Sequence, residues 1–121
     1  MIALVKQRPL GPGPPRFRVR YAEEILPELA DREDGEALMD ELESVLAIDP
    51  VDPPGHRSEK IEGEAALRRY RPHVDNGCRI FYAIEGDEVW ILAVHPRKTA
   101  YRTSNLKTAR ARLGRAARRT D

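Results

Sequence analysis

The sequence predicts an α+β fold, in which a helical hairpin packs on one face of a small antiparallel sheet. Three observations carry this expectation. Arginines alternate with apolar or aromatic residues over Arg16-Phe17-Arg18-Val19-Arg20-Tyr21, two amphipathic helical stretches follow, and the later part of the chain holds apolar strands separated by polar turns. Helices segregated from a run of antiparallel strands are the pattern of α+β domains. With 121 residues, the chain is long enough for one hydrophobic core and too short for two, so one domain is expected.

The elements are taken in chain order. Gln7 to Pro15 holds four prolines and two glycines, which neither continue a helix nor fit a central strand, so residues 1–15 read as an extended, flexible arm. Residues 16–21 have the period of a strand with one buried face. Ala22–Arg32 places Ile25, Leu26 and Leu29 on one helical face and tolerates Pro27 in the first turn. Asp34-Gly35 breaks that helix, and from Glu36 the spacing of Leu38, Leu42, Val45 and Leu46 predicts a second one that ends before Asp49-Pro50. Residues 49–58 are turn formers and read as a loop. Leu67 to Arg71 is a basic strand candidate. After Asp75-Asn76-Gly77 comes Cys78 to Ile84, and after the polar turn at residues 85–88 comes Val89 to Val94, apolar enough for an interior strand. These three form a meander. Thr103–Arg119 spaces Leu106, Ala109 and Leu113 among arginines, as in a weakly anchored basic helix or tail. The domain is thus bounded at residues 16–103, with the arm before it and a basic tail at 104–121.

Bulk properties narrow the functional classes. No apolar run approaches the roughly 18 residues of a membrane span, and the opening MIALVKQRPLGPGPPR lacks the apolar core and cleavage site of a secretory signal. A cytoplasmic protein without a membrane partner is expected. Cys78 is the single cysteine, so an intramolecular disulfide is impossible and a core role is expected for it. Net charge is +1, but residues 1–66 hold 8 Lys and Arg against 15 Asp and Glu, whereas residues 67–121 hold 13 against 5. Such a basic half either contacts a polyanion through counterion release or is neutralised by the acidic half.

The passage CRIFYAIEGDEVWILAVHPRKTAYR, in this order of elements, resembles the RelE/ParE superfamily of toxins from type II toxin-antitoxin systems. The matching residues are Arg79-Ile80-Phe81-Tyr82, Ile91-Leu92-Ala93-Val94 and His95-Pro96-Arg97-Lys98-Thr99-Ala100-Tyr101-Arg102. The resemblance covers residues 16–103. It implies either a RelE-like endoribonuclease that cuts mRNA, including on the ribosome, or a ParE-like protein that inhibits DNA gyrase without catalysis. An inactive docking member of the same fold is a third reading. Each toxin reading implies a cognate antitoxin protein as partner, whose acidic amphipathic segment would suit a basic groove.

Metal-free RNA cleavage needs a base for the 2′-hydroxyl proton, cations for the charged phosphorane and an acid for the leaving oxygen. The resemblance places Arg79 near the scissile phosphate, gives Arg97 a second bidentate contact, and leaves proton transfer to His95 or Tyr101. Arg69, Arg71, Lys98 and Arg102 would hold the RNA backbone. The endoribonuclease that the resemblance implies needs neither a metal nor an organic cofactor, and the histidines His56 and His73 show no spacing that suggests a metal site. Each site residue also has a structural alternative. Arg79 could pair with Glu85 or Asp87, His95 could bond to backbone, and Tyr101 could seal the core edge. The sequence departs from the family at Pro96, where many relatives carry a basic residue. It also departs at Pro72-His73, which lengthens the turn after Arg69 and Arg71.

Overall fold

The computed structural model describes residues 16–119, so the arm read at residues 1–15 and the last two residues of the tail lie outside the described residues. The elements are β1 (Arg18–Tyr21), α1 (Ile25–Ala30), α2 (Gly35–Leu46), β2 (Ser58–Lys60), β3 (Arg68–Tyr70), β4 (Cys78–Glu85), β5 (Glu88–Pro96) and α3 (Thr103–Arg119). The α+β class stands. Its sheet differs from the expected one, because among the described residues five strands form one mixed sheet in the order β1-β5-β4-β3-β2. The addition is β2, whose Ser58, Glu59 and Lys60 pair with Tyr70, Arg69 and Arg68. Three polar residues on an outer edge carry no apolar alternation, which is why the sequence did not announce them. β1 joins the other side and runs parallel to β5, from Arg18 opposite Glu88 to Tyr21 opposite Ile91. β5 is therefore the middle partner of β1 and β4, which accounts for its near-continuous apolar run.

Helices cover both faces. Tyr21 and Tyr70 point towards α2, each donating its hydroxyl proton to a glutamate there, Glu43 at 2.7 Å and Glu41 at 2.5 Å. On that side Ile25, Leu29, Leu38, Leu42 and Leu46 join Ile80, Tyr82 and Ile91 in one buried cluster. Gly35 begins α2 rather than ending the helix before it. A β-carbon there would sit 1.9 Å from the Leu29 carbonyl oxygen, so glycine is what lets the two helices turn this tightly.

α3 crosses the opposite face, and it is not the weakly anchored tail that its arginines suggested. Ala109 and Ala116, two turns apart, are buried, with Leu106 and Leu113 packed beside them. Three of its arginines pair with acids from earlier in the chain: Arg110 with Glu64 at 2.5 Å, Arg112 with Glu28 at 3.1 Å, and Arg115 with Glu24. Arg32 joins Asp75 at 2.7 Å, and Arg20 joins the buried Glu88 at 2.8 Å while its guanidinium lies over the Trp90 ring. Ion pairs therefore tie α3 to the acidic first half, and Arg20 and Arg32 to acids of the second.

The β4–β5 ladder is irregular at one point. Phe81 pairs with Ala93, but Tyr82 pairs with Ile91, so Leu92 has no counterpart across the strands and forms a β-bulge. The Leu92 carbonyl accepts a hydrogen bond from Arg112 at 2.8 Å. A bulge reverses the in-out alternation beyond it. His95 consequently shares a face with Trp90, Phe81 and Arg79, rather than with Ile91.

Candidate functional site

The register of the meander assembles the site. Arg79 and His95 are direct partners across β4 and β5, and Arg69 lies opposite Phe81 on β3. Two residues beyond Arg69, Arg71 continues the ladder through its N–H to the Arg57 carbonyl at 2.8 Å. Arg97 follows β5 and is held by its N–H to the Gly77 carbonyl at 2.8 Å. The result is a cleft of about 300 Å3 lined by Arg57, Arg71, Asn76, Arg79 and Arg97.

No carboxylate lines this cleft, and among the described residues none of its four arginines makes an ion pair. Their hydrogen bonds go to backbone carbonyls instead. Arg79 donates to Asn76 at 2.9 Å and Cys78 at 2.8 Å, and Arg57 to Arg71 at 3.0 Å. The Nε–H groups of Arg57 and Arg71 are buried without a partner. A hollow of about 230 Å3 beside α3 also holds three arginines, Arg20, Arg112 and Arg115, but each of these is already matched by a glutamate. Like charges gathered without counter-charge repel one another, so the first cleft is the one prepared for an anion.

An aromatic group adjoins the cleft. The Phe81 ring meets His95 edge-on, centroids 5.6 Å apart, and Tyr101 at 5.7 Å. Tyr101 packs as the core-edge reading expects, yet it remains 46% exposed. His95 Nε2 is buried and makes no hydrogen bond, so the expected bond to backbone is absent at this atom. Burial lowers the His95 pKa, Glu28 opposes the shift and Arg112 adds to it, which favours the neutral ring. Arg79 does not pair with Glu85 or Asp87; Asp87 instead lies 3.6 Å from Arg18.

The structure thus gathers Arg71, Arg79, Arg97 and His95, with Tyr101 one ring away. It diverts Arg69, whose guanidinium bonds Glu59 at 2.5 Å and the Arg57 carbonyl at 3.1 Å, and which lines a neighbouring groove with Tyr101. Lys98 and Arg102 are exposed and line neither the cleft nor that groove. Among the described residues no group of three His, Cys, Asp or Glu side chains could hold a metal ion.

Sequence reasoning missed two cleft residues and their supports. Arg57 lies in a stretch legible only as a loop, and Asn76 only as a turn former. Glu41 on α2 accepts the N–H groups of His73 and Val74 at 2.7 and 2.8 Å, which pins the long turn that Pro72-His73 creates. Asp75, held by Arg32, accepts the Gly77 N–H at 2.8 Å. The carbonyls that fix Arg79 and Arg97 are thereby fixed themselves. In sequence, Glu41 is indistinguishable from the other acids of its helix. No protein-family model and no curated protein matched this chain.

Proposed function

We propose that this protein is the toxin of a toxin-antitoxin pair, a RelE-like endoribonuclease that cleaves mRNA without a metal, with translated messages on the ribosome as its target. The observation that carries the reading is the cleft of four arginines with no acidic partner, with His95 directly across the sheet from Arg79. In this reading the 2′-hydroxyl attacks the adjacent phosphorus, the P–O5′ bond breaks, and a 2′,3′-cyclic phosphate forms. Neutral His95 takes the 2′-hydroxyl proton, and Tyr101 gives one to the leaving 5′-oxygen. Arg79 and Arg97 hold the phosphorane oxygens as bidentate donors. The partner antitoxin supplies an acidic segment that neutralises the cleft.

A second reading has one observation in its favour. His95 Nε2 is covered, so proton transfer there requires that atom to become exposed. A ParE-like protein, which blocks DNA gyrase by contact alone, needs no such exposure. The two readings separate on induction in a bacterial host without antitoxin, followed within minutes by mapping new 5′ ends on messenger RNA. Cuts in codon register support the nuclease. Growth arrest over intact messages moves the assignment to a protein target such as gyrase, and continued growth leaves only a docking role. Arg79→Ala should lower cleavage by about a hundredfold or more without changing the circular dichroism spectrum. Undiminished cleavage by the folded variant would sink the site assignment.

A further inference from the structure

We infer that Arg57 and Arg71 form a second phosphate subsite, so that the cleft takes two consecutive phosphates of a single-stranded RNA rather than one. The inference rests on reading the cleft as an RNA site. The four arginines stand on two walls with separate supports. Arg79 and Arg97 are held by carbonyls of residues 76–78. Arg57 and Arg71 are held by each other: the Arg57 guanidinium donates to the Arg71 carbonyl and the Arg71 N–H donates to the Arg57 carbonyl.

The backbone before Arg57 is unusual in a way that serves this wall. Gly55 has φ +88° and His56, which is not a glycine, has φ +52°. Two successive left-handed residues double the chain back, so that Arg57 Nε and Cγ lie 3.6 and 3.7 Å from where a Gly55 β-carbon would stand. A positive φ at a non-glycine persists where its surroundings hold it, and such positions cluster at binding sites. The Nε–H groups of both Arg57 and Arg71 are buried and unpartnered, so they lack a protein acceptor and meet an anion only when the wall moves to admit it. An anion lying along the fork of a guanidinium uses such an Nε–H together with an Nη–H. Charge points the same way. One phosphodiester carries a single negative charge and would leave most of the cleft unbalanced, whereas the next phosphate along the chain matches the second pair.

The test uses the full chain and 2′-O-methyl oligonucleotides of mixed sequence, which cannot be cleaved, with one, two and five internucleotide phosphates. Binding is followed by fluorescence anisotropy at several salt concentrations. The unaltered protein should gain on the order of tenfold in affinity from one phosphate to two. Arg57→Gln, which keeps a donor for the Arg71 carbonyl, should lose that gain and lower the salt slope for the longest oligonucleotide by about 0.7. Arg71→Gln should do the same while leaving every backbone bond of the wall in place, so a folding defect at Arg57 does not decide the outcome. If both variants keep the length dependence and slope while Arg79→Ala loses binding, the second subsite is wrong and the RNA site stands. If the unaltered protein binds none of the oligonucleotides, both fall.

Discussion

Burial holds the His95 ring neutral at pH values where an unfolded chain would already have taken up a proton, Glu28 only partly offsetting the effect. Its folded pKa lies below the unfolded value of about 6.5, so its contribution to stability is complete above that pH and is lost as pH falls through the folded pKa. The melting temperature should therefore decline from pH 7 towards pH 5. His95→Phe, which keeps a ring against Phe81, should flatten the part of the curve just below pH 6.5, and an unchanged curve would exclude His95 as its source. Cys78 gives the opposite expectation about reactivity. Burial, with Asp75 next, pushes its thiol up to about 11. Iodoacetamide at pH 8 should leave the native protein unmodified and label it fully in denaturant, as mass spectrometry would show.

Two elements owe their positions to a few atoms. α1 and α2 meet where Gly35 leaves no room for a β-carbon, so Gly35→Ala should destabilise by about 1–3 kcal/mol in urea unfolding, as overpacking does. The bulge of β5 depends on α3, since Arg112 caps the Leu92 carbonyl and pairs with Glu28. Arg112→Met leaves both without that partner and should cost about 1–3 kcal/mol, measured the same way. The helices and the apolar strands were legible in sequence because period 3.6 and continuous burial each leave a mark on residue type. β2 left none, being short and polar, and neither did the bulge, because Leu92 looks like every other apolar residue of its strand. Arg79, Arg97 and His95 were legible as candidates through the motif that carries the family resemblance. Arg57 was not, since its place in the cleft depends on the dihedral angles of the two residues before it.

Across the molecule, the α3 arginines Arg110, Arg112 and Arg115 are each matched by a glutamate, whereas the arginines of the cleft have no carboxylate beside them. A multivalent anion that fills the cleft should stabilise the fold by linkage. Inorganic phosphate should raise the melting temperature by several degrees over sodium chloride of equal ionic strength, an increment that Arg79→Ala and Arg97→Ala each reduce. Equal melting temperatures in the two salts would deny the cleft its affinity. The parallel pairing of β1 with β5 has a consequence for biosynthesis. The first strand waits for a partner some seventy positions downstream, and that partner is also the strand on which β4 closes. A growing chain that has not yet delivered residues 88–96 has no centre on which to order its earlier strands. Completion of the sheet is therefore postponed until β5 has been made, with Arg97 emerging just behind the strand that makes it possible.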